Sequence, residues 1–417
     1  MLALSLSLVL SASLTAPLAA SPPPAGAAEG PRYAEVFEEL RDLVRAEFYD
    51  AETARAWGEL TPDERAALAR LDGPAEWGDW ARTQLGKLGA SHTTLYTPAD
   101  REYYELLDVF FHDAPPEALE HLFPDGRIVY PGAGLIARDH GARTFVEVVY
   151  PGGPAERAGL VRGDELRSAG GEPWADVAPF AGRVGEVVEV EYRREVGGEV
   201  RTARVAPEFI QPREAFLRGI REGARLVERP DGSVLYVPVL SYAGPWYHEA
   251  VKETLRRPEF AGADALALDL RHGWGGASAE YLGLFNPVVP VFQMRRRGAA
   301  EWTEFSPAWT KPVAVLVGPE TRSGKEMLAF AFRKHGLGPV IGRRTAGAVL
   351  PGSPRLLSDG SLAYLAVGDA MVDGVRLEGV GVAADVEVED PLPHAGGADR
   401  TLEGAVDVLL DRAGGGG

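Results

Sequence analysis

Val313-Ala314-Val315-Leu316-Val317, followed shortly by Thr321-Arg322-Ser323-Gly324-Lys325-Glu326, decides how this chain is built. An unbroken apolar run predicts a strand buried on both faces, because a half-exposed strand alternates. The segment behind it, Gly324–Lys334, has the apolar spacing of an amphipathic helix. The same strand-then-helix alternation recurs nearby. Val234–Leu240 and Ala265–Leu270 predict short apolar strands, with helices around Trp246–Arg256 and Ala277–Phe285. From about residue 215 the chain is therefore expected to be α/β. Its sheet should be mostly parallel and buried, with active residues at strand ends. Asp359-Gly360 and Asp373-Gly374 mark later hairpin turns.

Upstream the pattern changes. Phe145–Val149 and Val187–Tyr192 alternate as half-buried strands do, and Gly197-Gly198 reads as the turn after the second. Between about 31 and 125 the pattern is helical, with Val36, Phe37, Leu40, Leu43, Val44 and Phe48 on one face. Thr61-Pro62-Asp63-Glu64 is a helix start with a capping box. A further helix is expected over Glu76–Leu88.

The chain has 417 residues and a formal charge of −18, which argues against a nucleic-acid partner. No cysteine is present, so disulfides, thiolate nucleophiles and Cys-zinc sites are excluded. Lysine is scarce: Lys87, Lys252, Lys311, Lys325 and Lys334 are the full set. No stretch is long enough to span a bilayer. Residues 1–28 carry no charged side chain, and an apolar run there ends in small residues. That leader reads as a secretory signal peptide, cleaved after Ala20 or Ala27.

Four short stretches could carry chemistry. Ser323, between a buried strand and a helix, can present its hydroxyl at the sheet edge, with helix N–H groups behind it for a developing anion. The same Ser323 with Glu326 could equally form only a capping box. In Arg271-His272-Gly273-Trp274-Gly275-Gly276 the glycines let backbone approach a substrate, or simply make a tight turn. Ser91-His92 sits in a loop after a helix, and Glu378 lies in a Gly-rich turn; each could be an ordinary solvated residue.

Taken together and in this order, these stretches resemble the C-terminal processing peptidases, the group that includes the tail-specific proteases and the catalytic core of tricorn protease. The resemblance implies an α/β fold with a crotonase-like (ClpP/crotonase) catalytic core, an inserted PDZ domain and an N-terminal helical region. The boundaries expected are 1–28 for the signal peptide, 29–128 for the helical region, 129–208 for the PDZ domain, 209–412 for the peptidase core and 413–417 for a disordered tail. Pro154-Ala155-Glu156-Arg157-Ala158-Gly159-Leu160 with Gly163-Asp164 is similar to the PDZ signature. Gly132, Ala133, Gly134 and Leu135 would then be the loop that holds a peptide's terminal carboxylate.

The family has two catalytic versions. In the tail-specific one a lysine follows in a Thr-x-Gly-Lys stretch, which here reads Thr345-Ala346-Gly347-Ala348. Lys325 is no replacement, since two residues along a helix is another face. The tricorn-like version uses a histidine preceded by serine, and a late glutamate. The resemblance thus implies Ser323 as nucleophile, His92 as base, Ser91 and Glu378 orienting the imidazole, and the Gly276 and Gly324 N–H groups as the oxyanion hole. Gly324 and Lys325 depart from the small and hydroxyl residues usual after the nucleophile, and Ala384 replaces the usual proline before Asp385. No metal or cofactor is implied. The partners expected are protein or peptide substrates, bound through their C-termini. The alternative is a non-catalytic ligand- or peptide-binding protein on the same scaffold. A free imidazole as base sets an activity rise at an apparent pKa of roughly 6–7.5.

Overall fold

The computed structural model describes residues 33–110, 119, 122–285, 292–295, 297–298, 300–301, 303–305 and 308–414. The expected signal peptide lies outside them. The tail expected to be disordered from 413 instead begins inside a helix, Arg400–Gly414. Leu402, Ala405, Val406, Leu409 and Leu410 bury one face of that helix on the core sheet, and this packing carries its last turn past Ala413.

The core sheet has six strands in the order Arg225–Arg229, Gly232–Pro238, Ala265–Asp269, Val313–Val317, Val340–Gly342 and Val386–Glu387. The first pair is an antiparallel hairpin and the other neighbours are parallel. Alternate residues of each strand serve opposite layers. Val234, Ala265, Ala314 and Leu316 face the helix Arg400–Gly414. Leu235, Leu266, Val313 and Val315 face Phe216, Tyr247 and Phe332, from the helices Pro212–Gly223, Pro245–Leu255 and Gly324–Lys334. Apolar positions on both faces are what an uninterrupted run requires. The segment expected as a helix over 277–285 is a 3-10 helix, Ala279–Phe285, opened by the Tyr281 N–H bonding the Ser278 carbonyl.

A second, antiparallel sheet lies at 135–205, in the order Leu135–His140, Arg143–Val149, Glu165–Ala169, Val188–Arg193 and Arg201–Val205. Its own core holds Leu135, Val146, Leu160, Phe180 and Val190. Tyr130–Gly132 pairs with Glu208–Ile210 and closes the unit where chain enters and leaves. A loop from the far end of the chain holds it as well. His394 and Gly397 donate backbone bonds to the Gly163 and Arg162 carbonyls. Arg162 pairs with Asp390, and Arg271 of the core binds Asp269, Asp390 and Asp399 around it.

The N-terminal region is helical, as its periodicity predicts, with Tyr33–Glu47, Ala51–Ala56, Pro62–Leu68, Pro74–Gly86 and Arg101–Phe110. The Thr61 capping box is formed. One strand, Thr94–Tyr96, has no local signal because its partner is far away: it pairs with Leu362–Ala366, the second arm of a hairpin begun by Gly352–Leu356. Phe37, Leu40, Trp77 and Leu85 cluster with Leu357 and Leu365 of that hairpin and with Leu350 just before it. The N-terminal helices thereby seat the loop before Thr94, which carries His92, on the core sheet's side of the molecule through that hairpin.

Trp77 is fully buried, stacked 5.5 Å from Tyr33 and 5.9 Å from Trp80. Trp77→Ala is expected to cost about 3–5 kcal/mol in urea unfolding, as large aromatic deletions do. A midpoint equal to the parent's would show that this cluster does not hold the region.

Candidate active site

Ser323 precedes its helix in a conformation few side chains adopt, with φ 58° and ψ −133°. Its backbone is held there by its N–H, which donates to the Ala348 carbonyl at 2.7 Å. Its hydroxyl does not cap the helix. Nor does Glu326 close a capping box. That carboxylate is buried and turns to the 345–348 stretch, accepting from Thr345 Oγ1 at 2.5 Å and from the Gly347 and Ala348 N–H groups at 2.7 and 2.8 Å. Burial pushes its carboxyl above the usual range, while these bonds pull it back. The capping-box alternative for Ser323 is thus ruled out by geometry.

Two backbones meet at this serine without side chains between them. A Cβ on Gly275 would lie 2.6 Å from Ser323 Cβ, and one on Gly324 would lie 2.4 Å from the Ala277 nitrogen. Gly276 has φ +81°, and a Cβ there would lie 2.5 Å from Ala243 Cβ. Among the described residues, neither the Gly276 nor the Gly324 N–H bonds a backbone carbonyl.

Ser91, His92 and Glu378 come together. Glu378 accepts from the Ser91 hydroxyl at 3.0 Å and from the Ser91 N–H at 3.2 Å. The Val349 and Leu350 N–H groups, at 2.8 and 3.2 Å, hold the same carboxylate. With its one proton given to Glu378, Ser91 Oγ is left to accept, and it lies 3.0 Å from His92 Nδ1. The proton therefore belongs on Nδ1 and the lone pair on Nε2. His92 itself is strained, at φ 53°. Burial and the nearby Arg322 guanidinium hold its pKa down to about 4, against the opposing pull of Glu378. This lies below the imidazole range expected from the sequence.

His92 and Ser323 line one cavity of about 260 Å³. No hydrogen bond joins Ser323 Oγ to the imidazole among the described residues. The rest of the wall is apolar: Phe110, Trp274, Met327, Val349, Pro351 and the ring of Tyr364. Trp274 is anchored through its indole N–H to buried Glu105 at 2.7 Å and meets Tyr364 edge-on at 6.2 Å. Sequence reasoning read Trp274 only as a neighbour of glycines. Its place between two glycines was the available signal. Phe110 and Tyr364 offered none. Lys325 is buried, bonds the Val239 and His272 carbonyls and is not among the residues lining this cavity. Ala348, which the sequence resemblance aligns with a lysine of the tail-specific peptidases, contributes its carbonyl to the Ser323 N–H.

Gly132, Ala133, Gly134 and Leu135 lie apart from this cavity. Gly134 has φ +72°, and the Ala133 and Gly134 carbonyls accept from Ala155 and Tyr150 N–H groups at 2.8 and 3.0 Å. The loop runs into Leu135–His140, an edge strand of its sheet.

Residues 232–388 match the Peptidase family S41 model and residues 145–194 match a PDZ domain model. A tricorn protease homolog of Streptomyces coelicolor is 27% identical over 403 residues, which cover 90% of this chain but 32% of the relative. A carboxyl-terminal-processing protease of Synechocystis sp. is 28% identical over 295 residues, 67% of this chain and 68% of the relative. The chain thus spans about a third of the first relative and about two thirds of the second. In fold it is similar to a photosystem II D1 C-terminal processing protease, with a TM-score of 0.50 at 21% identity, covering 91% of this chain and 98% of that one. It is also similar to tricorn protease, with a TM-score of 0.54 at 17% identity, covering 92% of this chain and 37% of that one. Residues 232–388 are thus similar to the core of peptidase family S41, and a segment upstream of them, 145–194, is similar to a PDZ domain.

Proposed function

We propose that the chain is a serine endopeptidase of the C-terminal-processing type, built on a crotonase-like core, with Ser323 as its nucleophile. The observation that carries the reading is the Glu378–Ser91–His92 relay, which leaves an unprotonated Nε2 on a ring that shares the Ser323 cavity. Ser323 Oγ attacks the peptide carbonyl and its proton passes to Nε2. The Gly276 and Gly324 N–H groups hold the oxyanion of the tetrahedral intermediate. The imidazolium then protonates the leaving amine as the C–N bond breaks, and water repeats the sequence to release the acyl group. A base and nucleophile that face one cavity without touching close to bonding distance as the substrate fills it. The apolar wall favours an apolar side chain beside the scissile bond.

In this reading the PDZ domain selects substrates by their free C-termini. The Gly132–Leu135 loop opens an edge strand, which suits strand addition with carboxylate capture. The uncharged apolar leader supports exported or periplasmic substrates.

Ser323→Ala is expected to abolish both cleavage and labelling by a peptidyl phosphonate, and His92→Ala to lower kcat by a factor of about 10³ or more. Labelling at another residue would overturn the assignment and favour a binding protein. The base must be neutral to accept a proton, so activity should be lost as pH falls through the His92 pKa. With that pKa held down to about 4, kcat/KM should stay level from neutrality to about pH 5 and drop below it. An acid limb between pH 6 and 7.5 would mean that the imidazole is solvated, contrary to its burial here.

Fluorescence titration with a peptide ending in apolar residues tests the PDZ role. Amidating its C-terminus should weaken binding by at least about tenfold, since a charge-assisted bond is lost. Equal affinity for both forms would exclude carboxylate capture.

A further inference from the structure

Lys325 is a buried amine to which the chemistry above gives no task. It lies in the first turn of the helix behind Ser323 and is 1% exposed. Its Nζ donates to the Val239 carbonyl at 2.5 Å and to the His272 carbonyl at 2.6 Å. Val239 stands just past the end of the core strand Gly232–Pro238. His272 begins the loop that leads to Gly276. These two stretches are zipped to each other: Trp274 N–H bonds the Leu240 carbonyl at 2.7 Å, and Tyr242 N–H bonds the Gly275 carbonyl at 3.1 Å. The loop is therefore clamped. Its front touches Ser323 and Gly324 backbone to backbone, and its back is tied to the same helix through Lys325.

The donor count fits this role. Two carbonyls are bonded, and the third proton of an ammonium would have no acceptor among the described residues. A neutral amine keeps two N–H groups, one for each carbonyl. Burial, aided by Arg322 and opposed by Asp269, brings the Lys325 pKa down to about 7, in the same direction.

We propose that Lys325 is a positioning residue for the oxyanion hole, fixing the separation of the Gly276 and Gly324 N–H groups by tying the loop of one to the helix of the other. This rests on Ser323 being the nucleophile. Lys325 touches neither the substrate nor the reacting atoms. Its effect is on whether both N–H groups reach one oxygen, and so on the transition state more than on substrate binding.

The test is Lys325→Met, which fills the same space but donates nothing, assayed on a fluorogenic peptide with active sites counted by phosphonate run to completion. The expected result is a fall in kcat per active site of about 10–100-fold, with KM within about twofold. Lys325→Gln, which restores two N–H donors on a shorter arm, should recover part of that loss. A purely structural lysine would instead lower the melting temperature and the number of active sites while leaving kcat per site unchanged, and that result overturns the proposal. A parent protein that neither cleaves nor takes phosphonate at Ser323 would sink the peptidase reading itself, which is a separable outcome. If Lys325→Met does not fold, the parent's crystal structure as the phosphonate adduct decides. Nζ should remain on both carbonyls, with Gly276 and Gly324 N–H on the phosphoryl oxygen. Nζ within bonding distance of Ser323 Oγ would refute a positioning role.

Discussion

The carboxylate of Glu378 gathers four donors from two distant stretches: the N–H and hydroxyl of Ser91, and the N–H groups of Val349 and Leu350. Leaving a partly buried donor or acceptor unpaired costs about 1–3 kcal/mol each, so this one side chain fixes where three loops can lie. The loop around His92 cannot approach the core in another register without stripping it. The 345–350 stretch is held from its other end by Glu326, which takes Thr345, Gly347 and Ala348. Ser323 then hangs from that stretch through Ala348. Two glutamates thus set the positions of His92 and Ser323, and neither lines the cavity.

Strain has the same origin. Ser323 and His92 both sit at positive φ, where a side chain is disfavoured. Such conformations persist only when their surroundings leave no alternative. Here the surroundings are identifiable: the Ala348 carbonyl on Ser323 N–H for one, and the Ser91–Glu378 bonds beside the strand Thr94–Tyr96 for the other. Burial of the imidazole follows from that seating and keeps it neutral well below its ordinary range.

What could be read from sequence divides along lines of range. The strands of the core and the helix Gly324–Lys334 were legible because period and burial are local properties. So was the Thr61 cap. The strand Thr94–Tyr96 was not, because its partner at Leu362–Ala366 has no sequence proximity to it. At the site, Ser91, His92, Ser323 and Glu378 were nameable only together and by resemblance. The residues that make their arrangement possible escaped. Glu326 read as a helix cap, though its carboxylate serves a loop twenty residues on. Lys325 read as a lysine on the wrong face, which is true of its position and silent about its two carbonyls. Phe110 and Tyr364 carry no motif at all. Side chains that act through backbone partners leave little trace in composition or spacing.

One feature of the far side bears on motion. Asp390 is shared between Arg162 of the PDZ domain and Arg271 of the core, and Arg271 is the residue before His272 in the loop beside Ser323. Both arginines and the aspartate are largely shielded from water. Pulling such a pair apart leaves an uncompensated charge and costs several kcal/mol. The PDZ domain is accordingly not a tethered accessory free to drift on its linkers. The same aspartate that holds the domain also holds Arg271, one residue from the loop that meets Ser323.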